Sequence, residues 1–355
     1  MIGATVRRVA GLIERYRDRL PVSATTPVVT LGEGSTPLVP APRLGAALDV
    51  DLWLKLEGAN PTGSFKDRGM TVALSKALEA GSKAVVCAST GNTSASAAAY
   101  AARAGLRCTV VIPAGNVARG KLAQAQACGA RVVQIDGSFD DALAAVRTVC
   151  DRHPVTLVNN LNPDRIEGQK TASWEILESL GAAPDWLALP IGNGGNITAY
   201  WRGFMEALER GDAPAPPRLL GCQAAGAAPI VHGQMVDRPQ TVATAIRIGR
   251  PVRFDEARAA LTRSEGRALA LEDEQILAAF RRLPVEEGVF CEPASAASFA
   301  GLVEARRLGI VEPGALVVCV LTGHGLKDSD TAVAQVDEPL RTSAGYDDIE
   351  AAVLG

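Results

Sequence analysis

The chain has 355 residues, a length that corresponds to about two domains and can bury a full hydrophobic core without disulfides. Its 36 Lys and Arg residues and 39 Asp and Glu residues give a formal net charge of −3, so the chain lacks the basic excess that nucleic acids or anionic membranes require. The 3 histidines are scattered and the 7 cysteines form no Cys-x-x-Cys pair, which argues against a metal site and is typical of reduced thiols. We therefore expect a cytoplasmic protein with no metal, no nucleic-acid partner and no membrane partner.

The predicted elements begin with a Gly- and Pro-rich segment, residues 1–61, which we expect to wrap over a domain. Short β-branched runs then alternate with Ala-rich amphipathic runs. The predicted strands cover 52–56, 84–87, 108–112, 131–135, 156–158, 186–189, 219–223 and 316–321. The predicted helices cover 94–103, 119–127, 140–151, 166–180, 197–209, 273–282 and 294–308. Several are followed by a glycine that can end a helix at positive φ, namely Gly105, Gly129, Gly181 and Gly309.

Alternating strands and helices predict the α/β class, with doubly wound domains whose mostly parallel sheets are covered on both faces. Segment 213–217 is predicted to be a loop, segment 226–267 shows no clean period, and the acidic tail after Pro339 is expected to be peripheral. Ligands of such sheets bind at the carboxyl ends of the strands. The loops that lead from a strand into a helix are therefore where we look for a site.

The first such loop, 60–69, delivers Lys66 to the start of a predicted helix, directly after Phe65. The helix dipole disfavours an ammonium group at this end, and an aromatic neighbour can desolvate the amine. A lysine in these surroundings can act as a nucleophile towards an aldehyde, whereas the alternative is an ordinary solvated lysine. A Walker A loop is excluded because Ser64 stands where its phosphate-binding lysine should be.

The second loop, 89–96, follows a predicted strand and is rich in hydroxyl and amide side chains. The candidate ligand-binding residues there are Ser89, Thr90, Asn92 and Thr93. At the start of a helix such residues leave free backbone N–H groups for a carboxylate or phosphate. Helix capping and close packing are the alternative, although one cap explains one residue only.

The third loop contains three glycines in four positions, and its candidate residues are Gly192, Asn193, Gly194, Gly195 and Asn196. Such a backbone can close around a ligand phosphate, although a tight turn is the alternative. A dinucleotide-binding fingerprint is excluded because the third glycine is replaced by isoleucine.

The fourth loop follows the predicted strand 316–321. Thr322 stands at the strand end, where its hydroxyl can contact a ligand, while His324 carries little weight as a catalytic residue.

Two cations, Lys121 and Arg165, lie at predicted helix starts, where the dipole gives no reason for a positive charge. They are ordinary surface charges or, together with the two loops that can bind an anion, they indicate a binding site for a second anion.

These loops, in this order, resemble the tryptophan synthase β-like (fold type II) pyridoxal-phosphate enzymes. Fuller segments are similar to the short bacterial threonine synthases within that group, and the similarity spans about residues 30–330. These segments are 57–69 (Glu-Gly-Ala-Asn-Pro-Thr-Gly-Ser-Phe-Lys-Asp-Arg-Gly), 165–171 (Arg-Ile-Glu-Gly-Gln-Lys-Thr), 243–249 (Ala-Thr-Ala-Ile-Arg-Ile-Gly) and 292–297 (Glu-Pro-Ala-Ser-Ala-Ala).

The resemblance implies pyridoxal 5′-phosphate in a cleft between two domains. The smaller domain covers 60–160, the larger covers 1–59 and 161–330, and 331–355 is a C-terminal tail. By the same resemblance Lys66 is catalytic and forms a Schiff base with the cofactor, Asn92 contacts the pyridoxal 3′-oxygen, residues 192–196 hold the phosphate, and Thr322 contacts the pyridine nitrogen. The residues implied for the substrate carboxylate are Ser89, Thr90, Asn92 and Thr93, and those for the substrate phosphate are Lys121, Asn160 and Arg165.

The implied reaction converts O-phospho-L-homoserine and water to L-threonine and phosphate, in a homodimer. The alternatives are a serine/threonine dehydratase or cysteine synthase of the same fold, which need no second phosphate site, and a non-catalytic ligand-binding homologue. Lys66, Asn92 and Thr322 together argue against a non-catalytic protein.

Overall fold

The structure is a computed structural model that describes residues 10–114, 119–137 and 139–354, without the side chains of 119–121 and 139–140. Within these residues the strands are β1 (Leu38–Pro40), β2 (Asp51–Leu56), β3 (Ala84–Ala88), β4 (Arg107–Pro113), β5 (Arg131–Ile135), β6 (Val155–Leu157), β7 (Trp186–Pro190), β8 (Arg218–Ala224), β9 (Arg267–Leu271) and β10 (Leu316–Leu321). The helices are α1 (Leu12–Arg15), α2 (Pro42–Leu48), α3 (Lys66–Glu79), α4 (Asn92–Ala104), α5 (Arg119–Ala127), α6 (Phe139–Arg152), α7 (Pro163–Gln169), α8 (Thr171–Leu180), α9 (Gly195–Arg210), α10 (Pro229–His232), α11 (Phe254–Arg263), α12 (Asp273–Glu287), α13 (Pro293–Arg307), α14 (Ser329–Val333) and α15 (Tyr346–Leu354).

The strands form two sheets. The larger has six strands in the order β1-β2-β10-β7-β8-β9, and the smaller has four in the order β5-β4-β3-β6. All pairs are parallel except β1 with β2. The central strands β7 and β10 are almost continuously apolar and buried, as expected for parallel strands covered on both faces.

Helices cover both faces of each sheet. On the larger sheet, α12 and α13 pack on one face through Phe280 and Phe299, and α8 and α9 pack on the other through Trp174 and Phe204. On the smaller sheet, α3, α4 and α5 cover one face, while α6 covers the other through Val146. The predicted doubly wound α/β class is confirmed.

The division into domains at the predicted residues stays a prediction. The smaller sheet uses only strands between residues 84 and 157, inside the proposed 60–160 unit. In the tail, α15 is exposed, with Tyr346 and Leu354 exposed by 75% and 78%. The tail is therefore peripheral, as predicted.

The predicted helix over 166–180 is wrong in extent, because the structure has two helices there. Asn162 caps α7 by accepting from the backbone N–H of Asp164, so the helix begins at Pro163. The Thr171 hydroxyl donates to the Gly168 carbonyl oxygen over 2.7 Å and competes with the backbone where α7 ends and α8 begins.

Two strands and two long helices were missed or only partly predicted: β1, β9, α3 and α11.

All seven cysteines are free thiols. In the part of the chain that the structure describes, no helix has the length and apolar content to cross a bilayer, and no three His, Cys, Asp or Glu side chains come together as metal ligands.

Candidate active site

Lys66 is the first residue of α3, where the sequence placed it. Its ammonium nitrogen lies 3.9 Å from the centroid of the Phe65 ring. The pKa of Lys66 is lowered to about 7, chiefly by burial and also by the positive charge of Arg165, and the carboxylate of Glu292 opposes both effects. Near neutral pH this lysine can therefore both accept and donate a proton.

The Lys66 loop is joined to the loop after β10 by backbone hydrogen bonds. Phe65 N–H donates to the Thr322 carbonyl over 3.0 Å, and His324 N–H donates to the Gly63 carbonyl over 2.9 Å. Gly63 takes a φ of +86°, a conformation that a residue with a side chain rarely adopts. These bonds place Lys66 beside the carboxyl end of β10.

Thr322 lies at that strand end and is buried, with its Oγ1 2.9 Å from the Oγ of Ser295. Ser295 Oγ also accepts from Gly323 N–H over 2.8 Å, so the first turn of α13 holds the Thr322 loop. Sequence reasoning assigned Ser295 no role, although its segment was part of the resemblance.

Asn92 is the first residue of α4 and is buried. Its side-chain Nδ2 donates to both carboxylate oxygens of Glu292, each at 3.1 Å. The pKa of Glu292 is raised, chiefly by burial and also by Asp328, while the Asn92 hydrogen bond and the charges of Lys327 and Lys66 oppose the shift. Glu292 is a second residue of the site that sequence reasoning did not assign.

The hydroxyl-rich loop between β3 and α4 leaves Ser89, Thr90 and Thr93 half-buried. Its position is fixed by Asn159, whose side chain accepts from the Ala88 N–H and donates to the Ala88 carbonyl, both over 2.8 Å. These hydroxyls are thus held at the carboxyl end of β3 and remain accessible to a ligand.

The Gly-rich loop leads from β7 into α9, a 16-residue helix. Gly194 takes a φ of +78°, and a Cβ there would lie 2.5 Å from the Arg253 carbonyl oxygen. A Cβ on Gly195 would overlap the side-chain amide of Asn160. The buried Nδ2 of Asn196 has no hydrogen-bond partner among the described residues. The loop therefore offers a compact backbone, free N–H groups of a helix start and an unsatisfied amide to an anion.

Arg165 is fully buried on α7, where Nη1 donates to the Val158 carbonyl over 3.2 Å. Its Nε has no partner within the described residues. Its pKa is lowered to about 10, chiefly by burial, with Cys87 opposing the shift and Arg253 adding to it. The guanidinium therefore stays charged at neutral pH and keeps a donor free for an anion.

Asn160 and Arg253 hold the Gly-rich loop, and the charge of Arg253 also acts on Arg165. Asn160 Nδ2 donates to the Asn193 carbonyl over 3.2 Å, and Arg253 Nε donates to the Asn160 carbonyl over 3.1 Å. Arg253 was not singled out from the sequence. Lys121 lies on α5, but its side chain is outside the described part of the chain.

A network of buried ion pairs anchors the first turn of α3 through Arg68. Arg68, next but one to Lys66, forms salt bridges with Glu57 and Glu175 at 2.7 and 2.6 Å, and Lys55 pairs with Glu175 at 2.8 Å. The two positive and two negative charges balance, as buried charges must. Glu175 keeps a pKa well below its usual range because Arg68 and Lys55 outweigh the effect of burial.

Comparison with known proteins gives the same fold and a family. The family model described as pyridoxal-phosphate dependent enzyme matches residues 29–323. Threonine synthase of Synechocystis sp. is 60% identical over 92% of this chain and 85% of its own length. Threonine synthase of Mycobacterium leprae is 58% identical over 91% of this chain and 90% of its own.

Among solved structures, maize serine racemase superposes with a TM-score of 0.73 at 22% identity, covering 84% of this chain and 91% of that one. That likeness shows the fold alone. The extent of the family match and the identity to the two relatives confirm the resemblance seen in the sequence: this chain belongs to the family of pyridoxal-phosphate dependent enzymes.

Proposed function

We propose that this chain is a threonine synthase, which converts O-phospho-L-homoserine and water to L-threonine and phosphate. The observation that carries the proposal is the 60% identity to the Synechocystis threonine synthase over 92% of this chain. The site supports it, because a lysine of lowered pKa and a buried arginine with a free donor are close enough to influence one another.

The residues present fit pyridoxal phosphate. Lys66 supplies the amine, the start of α9 and the unsatisfied Asn196 amide suit a phosphate, and Thr322 offers a neutral hydroxyl. We infer that Lys66, Asn92, Thr322 and residues 192–196 hold the cofactor. When bound, pyridoxal phosphate withdraws electrons from the carbon atoms of an attached amino acid.

Lys66 moves the protons in this proposal. With a pKa of about 7, a substantial fraction of its side chain is the neutral amine at neutral pH and can take a proton from the substrate Cα or Cβ. The resulting ammonium group can return a proton to carbon later in the same cycle. One lysine thus serves as base and acid, which fits a chain with only 3 histidines.

Two groups of residues orient the substrate. Ser89, Thr90, Asn92 and Thr93 surround the start of α4 and would receive the substrate carboxylate. The substrate phosphate would bind Arg165, Lys121 and Asn160, of which Arg165 supplies the buried charge. Desolvation of that arginine strengthens its attraction for a phosphate group.

We also infer a cytoplasmic homodimer. The seven free thiols support a reducing compartment. An apolar cavity of about 450 Å³ beside α12 and α14 is lined by Leu326, Val333 and Val336, each 71% exposed. Such a surface on a soluble chain suits an interface. Sedimentation velocity should give the dimer mass, and a monomer at micromolar concentration would contradict this part of the proposal.

The test of function is product analysis with purified holoprotein. Incubation with O-phospho-L-homoserine should release phosphate and L-threonine in equal amounts, and incubation with threonine should give little 2-oxo acid. Release of 2-oxo acid from threonine without phosphate release from O-phospho-L-homoserine would identify a dehydratase. A protein that turns over neither substrate would be the cysteine synthase or the non-catalytic alternative.

A further inference from the structure

Glu292 is a buried carboxylate that belongs to no salt bridge in the part of the chain that the structure describes. Its exposure is 4%, and both of its oxygens accept from the Asn92 amide at 3.1 Å. Burying a carboxylate away from a positive partner is costly, so such a group is seldom retained for stability alone.

Glu292 lies where three residues of the proposed site meet, namely Asn92, Thr322 and Lys66. Its backbone N–H donates to the Gly323 carbonyl over 3.0 Å, next to Thr322. A Cβ on Gly323 would lie 2.6 Å from Glu292 Oε1, so a side chain there would push the carboxylate out of its position. Lys66 and Lys327 lie close enough to act on it electrostatically, as does Asp328.

The Asn92 hydrogen bonds determine which way that amide points. Burial disfavours the charged form of Glu292, and the Asn92 hydrogen bond and the charges of Lys327 and Lys66 favour it. In the charged form the carboxylate can only accept hydrogen bonds, so it selects Nδ2 of Asn92 and repels Oδ1. One N–H hydrogen can lie between the two carboxylate oxygens, which leaves the second available to a ligand oxygen. Without the carboxylate the amide could rotate by 180° and present an acceptor instead.

We propose that Glu292 is a positioning residue, whose carboxylate orients the Asn92 amide towards the cofactor and places a negative charge beside Lys66. The inference rests on the site described under the proposed function, but its test requires no turnover. It predicts two separable effects, one on cofactor affinity through Asn92 and one on the protonation of Lys66.

The first test measures Lys66 in the cofactor-free protein. Acetylation of Lys66, followed by peptide mass spectrometry between pH 5 and 9, reports the fraction of neutral amine. In Glu292→Gln, loss of the negative charge should lower the pKa of Lys66 and so increase the rate at pH 6 by about twofold or more. Glu304→Gln removes a half-buried carboxylate from the same helix, where it pairs with the exposed Arg307, and should leave the rate unchanged.

The second test is a double-variant cycle in which equilibrium dialysis measures the affinity for pyridoxal phosphate. Glu292→Gln and Asn92→Ala should each weaken binding about tenfold or more, and the double variant should bind no more weakly than Asn92→Ala. Glu292→Asp keeps the charge and should retain the wild-type pH profile of Lys66, which covers the case in which the glutamine variant does not fold.

Two results would overturn the inference: an unchanged Lys66 profile in a folded Glu292→Gln protein, or losses of affinity that multiply in the double variant. Failure of the product assay described earlier would reject the threonine synthase assignment and would leave both of these measurements interpretable.

Discussion

Gly69 of α3 packs directly against Arg165 of α7: a Cβ on Gly69 would lie 2.6 Å from the Arg165 carbonyl oxygen. One turn along the same contact, a Cβ on Gly168 would overlap the Arg68 carbonyl oxygen. Because α3 begins with Lys66, this backbone contact sets the separation between the lysine and the arginine of the proposed site. Two glycines thus hold the amine and the phosphate-binding group in one cleft.

Substituting Gly168→Ala should therefore separate the two helices. We expect a loss of about 2 kcal/mol in the free energy of unfolding and a fall in turnover, because overpacking outweighs the gain in helix propensity. The matched control is Gly309→Ala, at a φ of +68° with no atom within 4 Å, which should cost about 1 kcal/mol and leave turnover unchanged. Urea unfolding and phosphate release measure the two quantities, and a stabilised Gly168→Ala protein would refute the close contact.

Much of this fold could be predicted because apolar, β-branched runs end at polar or glycine residues. The predicted strands 131–135 and 316–321 have the same bounds as β5 and β10. In contrast, β9 was missed because Arg-Ala-Leu-Ala-Leu contains helix-forming residues, and only pairing with β8 at the sheet edge makes it a strand. The strand β1 ends in proline, which an edge tolerates but a pattern does not reveal.

The ion network below α3 gives a second prediction. Replacing Glu175→Gln leaves the buried charges of Arg68 and Lys55 undercompensated, so we expect a loss of about 3–5 kcal/mol in urea unfolding at pH 7. The control Glu178→Gln, whose ion pair with Arg15 is exposed, should cost less than about 1 kcal/mol. Equal losses in the two variants would argue against a role for burial.

The same network predicts a pH dependence. The pKa of Glu175 is lowered in the folded chain, so its stabilisation is fully present above the unfolded value of 4.5 and is lost as the pH falls below it. The difference in stability between the wild-type protein and Glu175→Gln should therefore shrink below pH 4.5. A difference that grew in acid would have the wrong sign.

The sequence predicted those residues of the site that follow strands, but not those brought in by tertiary packing. Lys66, Asn92, Gly194 and Thr322 follow strands, so topology alone gathers them at the same sheet edges. Glu292 contacts Asn92 across 200 residues of sequence, and no local pattern distinguishes it from the other acidic residues at helix starts. Such partners depend on tertiary packing, which a single sequence does not reveal.

Arg165 should determine recognition of the substrate phosphate. We expect Arg165→Leu to raise the KM for O-phospho-L-homoserine about 10- to 100-fold, because a hydrogen bond to a charged group contributes about 1.5–3 kcal/mol. Arg165→Lys should recover part of this loss, and Arg210→Leu, at the exposed end of α9, should have no effect. Unchanged KM in a folded Arg165→Leu protein would place the phosphate elsewhere.

Cofactor uptake should report the lowered pKa of Lys66. Only the neutral amine attacks an aldehyde, so the rate of pyridoxal phosphate uptake by the cofactor-free protein should rise up to about pH 7 and then level off. Stopped-flow absorbance at fixed cofactor concentration measures this rate. A rate that keeps rising through pH 9 would indicate an ordinary lysine, whose pKa is 10.5.

The central claim is that Lys66 carries the cofactor in this cleft. Borohydride reduction of the holoprotein, followed by peptide mass spectrometry, locates the modified lysine directly. We predict the pyridoxyl group on Lys66, and we predict that Lys66→Ala has neither visible absorbance nor turnover. Modification of Lys327, the neighbouring partly buried lysine, or a yellow and active Lys66→Ala protein would contradict the account.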